Sequence, residues 1–176
     1  SEIVLENSRI RAVFHPNTMQ LYSLIRKSSG KELIDPRRPA CAFRLITEET
    51  SNGMTAWRVG KYARIQNLNE SCPVAVSSVI RGEVRQQIVY SLPFASSSLT
   101  VTVTLDADSE LLRFDAAVDW HELGSPAGVP QLNFALPLAQ ETPVSRCAVP
   151  FGIADRPALA QDVPCNGLIA AADDEE

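Results

Sequence analysis

Hydrophobic and polar residues alternate most cleanly between Ser98 and Glu122. Ser98–Asp106 reads S-L-T-V-T-V-T-L-D, which sets Leu99, Val101, Val103 and Leu105 on one side and Thr100, Thr102, Thr104 and Asp106 on the other. After a polar turn at Ala107–Glu110 the period resumes. Leu112, Phe114, Ala116, Val118 and Trp120 then share one face, opposite Arg113, Asp115, Ala117, Asp119 and His121. A period of two belongs to a strand, and two such runs across a short polar turn predict a β-hairpin. Burying one large aliphatic or aromatic side chain is worth roughly 1.5–3 kcal/mol, so the apolar side should face the core. Trp120 is therefore expected inside, with Asp119 and His121 turned to solvent or to a second domain.

Shorter runs predict further strands at Ile3–Glu6, Arg9–His15, Met19–Lys27, Cys41–Thr47, Thr55–Lys61, Val74–Ile80, Gly82–Leu92, Gln131–Leu138 and Val144–Val149. Pro16-Asn17-Thr18 and Ser28-Ser29-Gly30-Lys31 are turns. Asp35-Pro36-Arg37-Arg38-Pro39 is a loop, because two prolines remove ladder donors and restrict the residues before them. In Met19–Lys27 the alternation sets Leu21, Ser23 and Ile25 opposite Tyr22 and Leu24. Gln66–Pro73 reads as a polar connection. From Phe151 onward the pattern decays, and residues 158–176, ending in four acidic residues, are expected to form a weakly ordered tail. No stretch predicts an amphipathic helix of three turns. Many short strands separated by breakers predict an all-β, antiparallel sandwich spanning residues 1–176 as a single domain.

The 176 residues suffice for one sizeable core. A net charge of -5 and a pI near 5.1 argue against nucleic acid or an anionic membrane as partner. Arg37–Arg38 is read as a solvated turn. No apolar run reaches the roughly 18 residues that a spanning helix needs. No secretory signal is visible, so a cytoplasmic location is expected. The chain starts with Ser, which reads as a processed product or an excised piece of a larger enzyme. Its four cysteines, Cys41, Cys72, Cys147 and Cys165, lack zinc-ligand spacing and are read as reduced thiols. Asn69-Glu70-Ser71 is a glycosylation sequon, a triplet common by chance.

Chemistry-bearing residues gather in Asp119-Trp120-His121-Glu122. Asp119 and His121, two apart on a strand, project from one face, where an Asp can orient a His ring. The alternative is an exposed polar pair or a contact with a neighbouring domain. Glu122 falls on the other side, which weakens any acid–base pairing with His121. Trp57 and Tyr62 flank a glycine and could stack on sugar, although one Trp in a strand more often serves a core. His15, beside Pro16, is read as structural. The chain has no G-x-S-x-G elbow, glycine-rich phosphate cradle or H-E-x-x-H, so covalent catalysis by this chain alone is not expected.

Several segments in order resemble family 38 glycoside hydrolases, the α-mannosidases. They are Leu5-Glu6-Asn7 followed by Arg9–Phe14, then Leu21–Lys27 with Gly30-Lys31-Glu32-Leu33. Thr55-Ala56-Trp57, Leu99–Leu105 and Phe114 through Val118-Asp119-Trp120-His121-Glu122 come next. Val149-Pro150-Phe151-Gly152 with Arg156-Pro157 closes the series. The likeness spans roughly residues 5–157. It implies the β-sandwich that follows the catalytic domain in those enzymes, similar in fold to galactose-mutarotase-like sandwiches. It also implies that the aspartate nucleophile and the sugar-binding zinc of the family lie on an upstream domain, with no cofactor in this segment.

Three functions follow as expectations. The first is a non-catalytic α-mannosidase domain that supports the catalytic domain and lends loops to the substrate cleft. Its contacts with carbohydrate or with the partner domain would use Trp57, Tyr62, Asp119, His121, Glu122 and Arg156. The second is a stand-alone carbohydrate-binding sandwich. The third is a mutarotase-like sugar epimerase using His121 and a carboxylate such as Glu122. A sandwich separated from its neighbour is also expected to expose an apolar patch and self-associate as a homo-oligomer.

Overall fold

A computed structural model describes residues 2–55, 58–159 and 162–171. It divides into two compact units, Ser1–Ala139 and Gln140–Glu176. The first unit opens with β1 (Ile3–Glu6), β2 (Ile10–Phe14), β3 (Leu21–Arg26) and β4 (Lys31–Glu32), an antiparallel sheet in that order. Next come β5 (Ala42–Glu48), β6 (Tyr62–Asn67) and a single helical turn, α1 (Leu68–Ser71). A second four-stranded sheet is formed by β7 (Ala75–Arg81), β8 (Arg85–Phe94), β9 (Ser97–Asp106) and β10 (Leu112–Asp119), with β7 and β10 at its edges. β11 (Val129–Ala135) then pairs with β5, giving the sheet β11-β5-β6. The second unit holds β12 (Val144–Val149), β13 (Gly152–Pro157) and β14 (Ile169–Ala171), with β12 in the middle. Every ladder is antiparallel. The fold is an all-β sandwich.

The core lies between the inner rows of the first two sheets. Leu5, Ile10, Ala12 and Phe14 face Ile88, Tyr90, Leu92, Leu99, Val101, Val103 and Leu105 in one continuous buried cluster. The predicted hairpin is there in the expected register, with Leu105 opposite Leu112 and Leu99 opposite Val118. Asn7 fastens the turns at one end. Its Nδ2 donates to the carbonyls of Asp106 and Ser109 at 2.7 Å each, and its Oδ1 accepts from the amides of Arg9 and Ile10 at 2.8 Å. Asn7 thus bridges the two sheets while closing the β1–β2 turn. Glu32 works similarly: its carboxylate accepts from Ser23 Oγ and the Leu24 amide at 2.7 Å, which pins the short β4 against β3.

Several expectations require correction. A bulge opposite Val13 and Phe14 makes Tyr22 the extra residue of β3, so parity shifts there. Leu21 and Leu24 therefore both reach the core, although simple alternation separates them. Only the first half of the β10 row is covered: Leu112 and Phe114 pack on the core, whereas Ala116 and Val118 are exposed. Trp120 is 37% exposed, beyond the end of that edge strand, and its ring packs tilted against Phe94 with centroids 6.1 Å apart. None of the described residues of Thr55–Lys61 is in a strand; the strand is Tyr62–Asn67, which takes in Gln66 and Asn67 of the expected polar connection, and α1 follows it. Past Phe151, β13 and β14 form where no strand is expected. β14 falls within residues 158–176 and pairs with β12 from Ile169 opposite Cys147.

Leu99→Ala should cost about 2–5 kcal/mol in urea-induced unfolding, because Leu99 is fully buried at the centre of the second sheet. Leu123→Ala, at a side chain 90% exposed, should stay within about 0.5 kcal/mol of the parent. Comparable losses at the two positions would contradict this placement of the core.

Candidate functional site

The Asp119–Glu122 cluster stands at the end of β10, beside the β8–β9 turn. Asp119 pairs with Ser98 in the ladder, which aims its carboxylate away from the core. His121 Nε2 lies 3.0 Å from Asp119 Oδ1, with both side chains more than half exposed. The expected pair therefore exists, on the solvent side. Ser97 organises the backbone behind it: its Oγ accepts from the His121 amide and donates to Glu122 Oε1, both at 2.8 Å. The same carboxylate oxygen accepts from the Ser96 amide at 2.8 Å. Glu122 thus braces the tight β8–β9 turn, where Ala95 adopts a positive φ of 47°. A carboxylate engaged in holding a turn is poorly placed to exchange protons in concert with His121. Trp120 Nε1–H donates to the Glu122 carbonyl at 2.9 Å and completes the corner.

The remaining candidates are dispersed. Tyr62 opens β6, half-buried opposite Glu48, on a different sheet from Asp119. Arg156 is on β13 of the second unit, opposite Ser145; its Nε is buried with no hydrogen-bond partner among the described residues. Trp57 lies outside the described residues. Among the described residues no three His, Cys, Asp or Glu side chains come together as metal ligands. No helix among them is long and apolar enough to cross a membrane. Cys41 is buried in apolar surroundings, which pushes its thiol up to about 12 and leaves it a poor nucleophile at neutral pH.

One feature escapes a reading of local pattern. A cleft of about 580 Å³ is lined by His15, Tyr22, Arg37, Arg38 and the rings of Pro16, Pro36 and Pro39. Its architect is Asp35, whose carboxylate is almost wholly buried. Oδ1 accepts from the Arg37 amide and Nε at 3.0 Å; Oδ2 accepts from Arg37 Nη2 at 3.2 Å and Arg38 Nε at 3.1 Å. The Arg37 side-chain hydrogen bonds, followed by its backbone amide, hold the Asp35 carboxyl down at about 2. Arg37–Arg38 is an exposed turn, as expected, yet both guanidinium groups are held in fixed places. The signal in the sequence is an Asp two and three residues before two arginines that stand between prolines.

The sequon is equally explicit in space. Asn69 is 1% exposed; its Oδ1 accepts from the Phe43 amide and its Nδ2 donates to the Thr18 carbonyl, both at 2.8 Å. It is a structural clasp on α1, and its amide nitrogen is inaccessible in the folded domain.

The family model described as Glycosyl hydrolases family 38 C-terminal domain matches residues 5–173. No curated protein matches the chain.

Two outcomes follow from this geometry. Secreted from a glycosylating host, the folded chain should carry no glycan on Asn69 by mass spectrometry, and Asn69→Ala should cost about 1–3 kcal/mol for each buried amide group left unpaired. Asp35 ionises more easily folded than unfolded, so its contribution is present above the ordinary value of 3.8 and is lost as pH falls toward 2. The protection factors of the Arg37 and Arg38 amides, which compare exchange with the intrinsic rate at each pH, should therefore fall across that window in the parent. In Asp35→Asn they should already be low at neutral pH and change little with acidification.

Proposed function

The chain belongs to glycosyl hydrolase family 38 as a C-terminal domain, and from that membership we propose that it is the non-catalytic β-sandwich of an α-mannosidase. In this reading it supports the catalytic domain and lends the Asp119–Glu122 corner to the cleft in which terminal α-mannosides are held. The nucleophile and the zinc belong to the partner domain. The four thiols, all free, support a reducing compartment such as the cytoplasm.

One observation carries the reading: an apolar row that its own domain leaves open. Trp120 is 37% exposed, Val118 and Phe134 40% each, and Leu136 46%. Phe134 connects this row to the interior, since its ring lies 5.0 Å from Phe43 and 5.3 Å from Phe114. Exposed large apolar side chains along and beside an edge strand are the usual mark of a surface that another body covers. Asp119 and His121 border the row and supply hydrogen-bonding groups at its rim, as interfaces do. Tyr62, Trp57 and Arg156 remain candidates for further contacts with the partner domain or carbohydrate.

The test uses the enzyme in which this domain is joined to its catalytic domain, assayed on a terminal α-mannoside. Val118→Asp should lower kcat/KM at least about tenfold by disturbing the interface, while urea unfolding of the separate domain changes by only about 1 kcal/mol because Val118 is already exposed. His121→Ala should raise KM several-fold with kcat largely kept if the corner reaches the sugar. Full activity and unchanged KM in both variants would overturn the proposal.

A further inference from the structure

We propose that the cleft between the His15 turn and the Asp35–Pro39 loop is a binding site for an anionic saccharide, one pyranose or two bearing a carboxylate or phosphate group. Its size is the first argument: about 580 Å³ lies within the range of small-ligand sites. Its walls are the second. Pro16, Pro36 and Pro39 have fixed φ, and Leu21 beneath them is fully buried, so the cavity exists before any ligand arrives. Preformed walls spare the ordering cost that weakens binding to flexible loops. The Tyr22 ring and the proline rings offer flat, weakly polar surfaces suited to the C–H face of a pyranose.

The charged end is the third argument and selects the class. Asp35 occupies Arg37 Nε and Nη2 and Arg38 Nε, which leaves Arg37 Nη1 and both terminal nitrogens of Arg38 for an outside acceptor. The Asp35 and Glu2 carboxylates together balance the two positive charges, so what the fork offers is directional N–H donors rather than net charge. Two guanidinium groups oriented in advance match the planar or trigonal oxygens of carboxylate and phosphate, which a flexible lysine would meet only as a point charge. His15 adds a donor: its Nδ1 accepts from the Asn17 amide at 3.3 Å, so the proton of the neutral ring resides on Nε2. At the rim the Tyr22 hydroxyl donates to Glu2, which raises the pKa of that phenol and keeps it neutral, so Tyr22 offers its ring rather than its hydroxyl.

The decisive experiment is calorimetric titration of the full chain at low salt with glucuronate, glucose 6-phosphate, glucose and inorganic phosphate. At least one acidic sugar should bind with a dissociation constant of about 1 mM or tighter, at least tenfold tighter than glucose. Glucuronate alone would assign a carboxylate ligand, glucose 6-phosphate alone a phosphorylated one, and both together the shared anion chemistry. Arg38→Gln keeps the Arg37–Asp35 pair, so its melting temperature should match the parent while acidic-sugar binding falls about tenfold. Tyr22→Ala should weaken the acidic sugar without changing the response to inorganic phosphate. Four results would overturn the proposal: no binding of either acidic sugar at about 10 mM, equal binding of glucose, inorganic phosphate binding as tightly as the sugars, or undiminished binding in a folded Arg38→Gln variant.

Discussion

Everything in the first unit depends on covering the inner row of β9. Leu99, Val101, Val103 and Leu105 are fully excluded from water, and no strand can bury such a row unaided. β8 and β10 flank it in the ladder, but the lid has to come from a second sheet, and β1 to β3 supply it through Leu5, Ile10, Ala12, Phe14 and Leu21. Four large side chains at roughly 1.5–3 kcal/mol each exceed any single polar contact in the domain, so other elements take positions compatible with that stack. Asn7 and the Glu6–Gln86 hydrogen bonds then set the alignment of the two layers at one end. Their value is directional: apolar burial does not care about register, whereas a carboxamide reaching two carbonyls does.

What could be read from the chain beforehand follows the same division. The hairpin and its register were legible because each of its residues obeys a local period, and the turn between the strands is composed of turn residues. β3 was legible as a strand and misleading in its faces, since one extra residue at Tyr22 reverses parity and a bulge leaves no compositional trace. The outer half of β10 obeys the period perfectly yet ends in water, because alternation reports which side is apolar and not whether anything lies over it. β13 and β14 were hidden for the opposite reason: G-I-A-D-R-P and I-A-A carry weak strand propensity, and pairing with β12 decides their state. As for the candidate site, Asp119 and His121 were legible from their spacing. The bracing role of Glu122 was not, because it depends on Ser96 and Ser97 arriving from another turn. The exposed Arg37–Arg38 turn was legible as letters, whereas the buried Asp35 carboxylate that holds it was not, since burial of a carboxylate ahead of Pro36 is a tertiary fact.

The residues that carry the family likeness mostly hold the backbone in place. Asn7 and Glu32 each collect backbone groups from several segments, and Glu122 accepts from two donors around a strained turn. Such polar hubs are costly to replace, since each substitution strands several buried or half-buried partners at once. A motif built of hubs identifies a fold more than a reaction. That suits a domain whose proposed work is to present surfaces to a catalytic neighbour, and it places any ligand specificity of its own outside the motif, where the Asp35 fork lies.

The two edges of the second sheet show how unevenly that surface is protected. An edge strand left free in water normally needs charge, curvature or brevity to discourage pairing. The outward row of β10 meets this need with Arg113, Asp115 and Asp119, two of them bridged at 2.9 Å. Its inward row does not: past Phe114 it continues through Ala116 and Val118 to Trp120 with no charge at all. If the strand end were simply frayed, nothing would hold the indole over Phe94, and Ser97 would not organise both His121 and Glu122 behind it. The corner is rigid, apolar on one side and charged on the other. A rigid amphipathic edge incurs a solvation penalty in the separate domain that only a covering body can relieve, which makes the exposed row more informative about the partner than any residue buried inside.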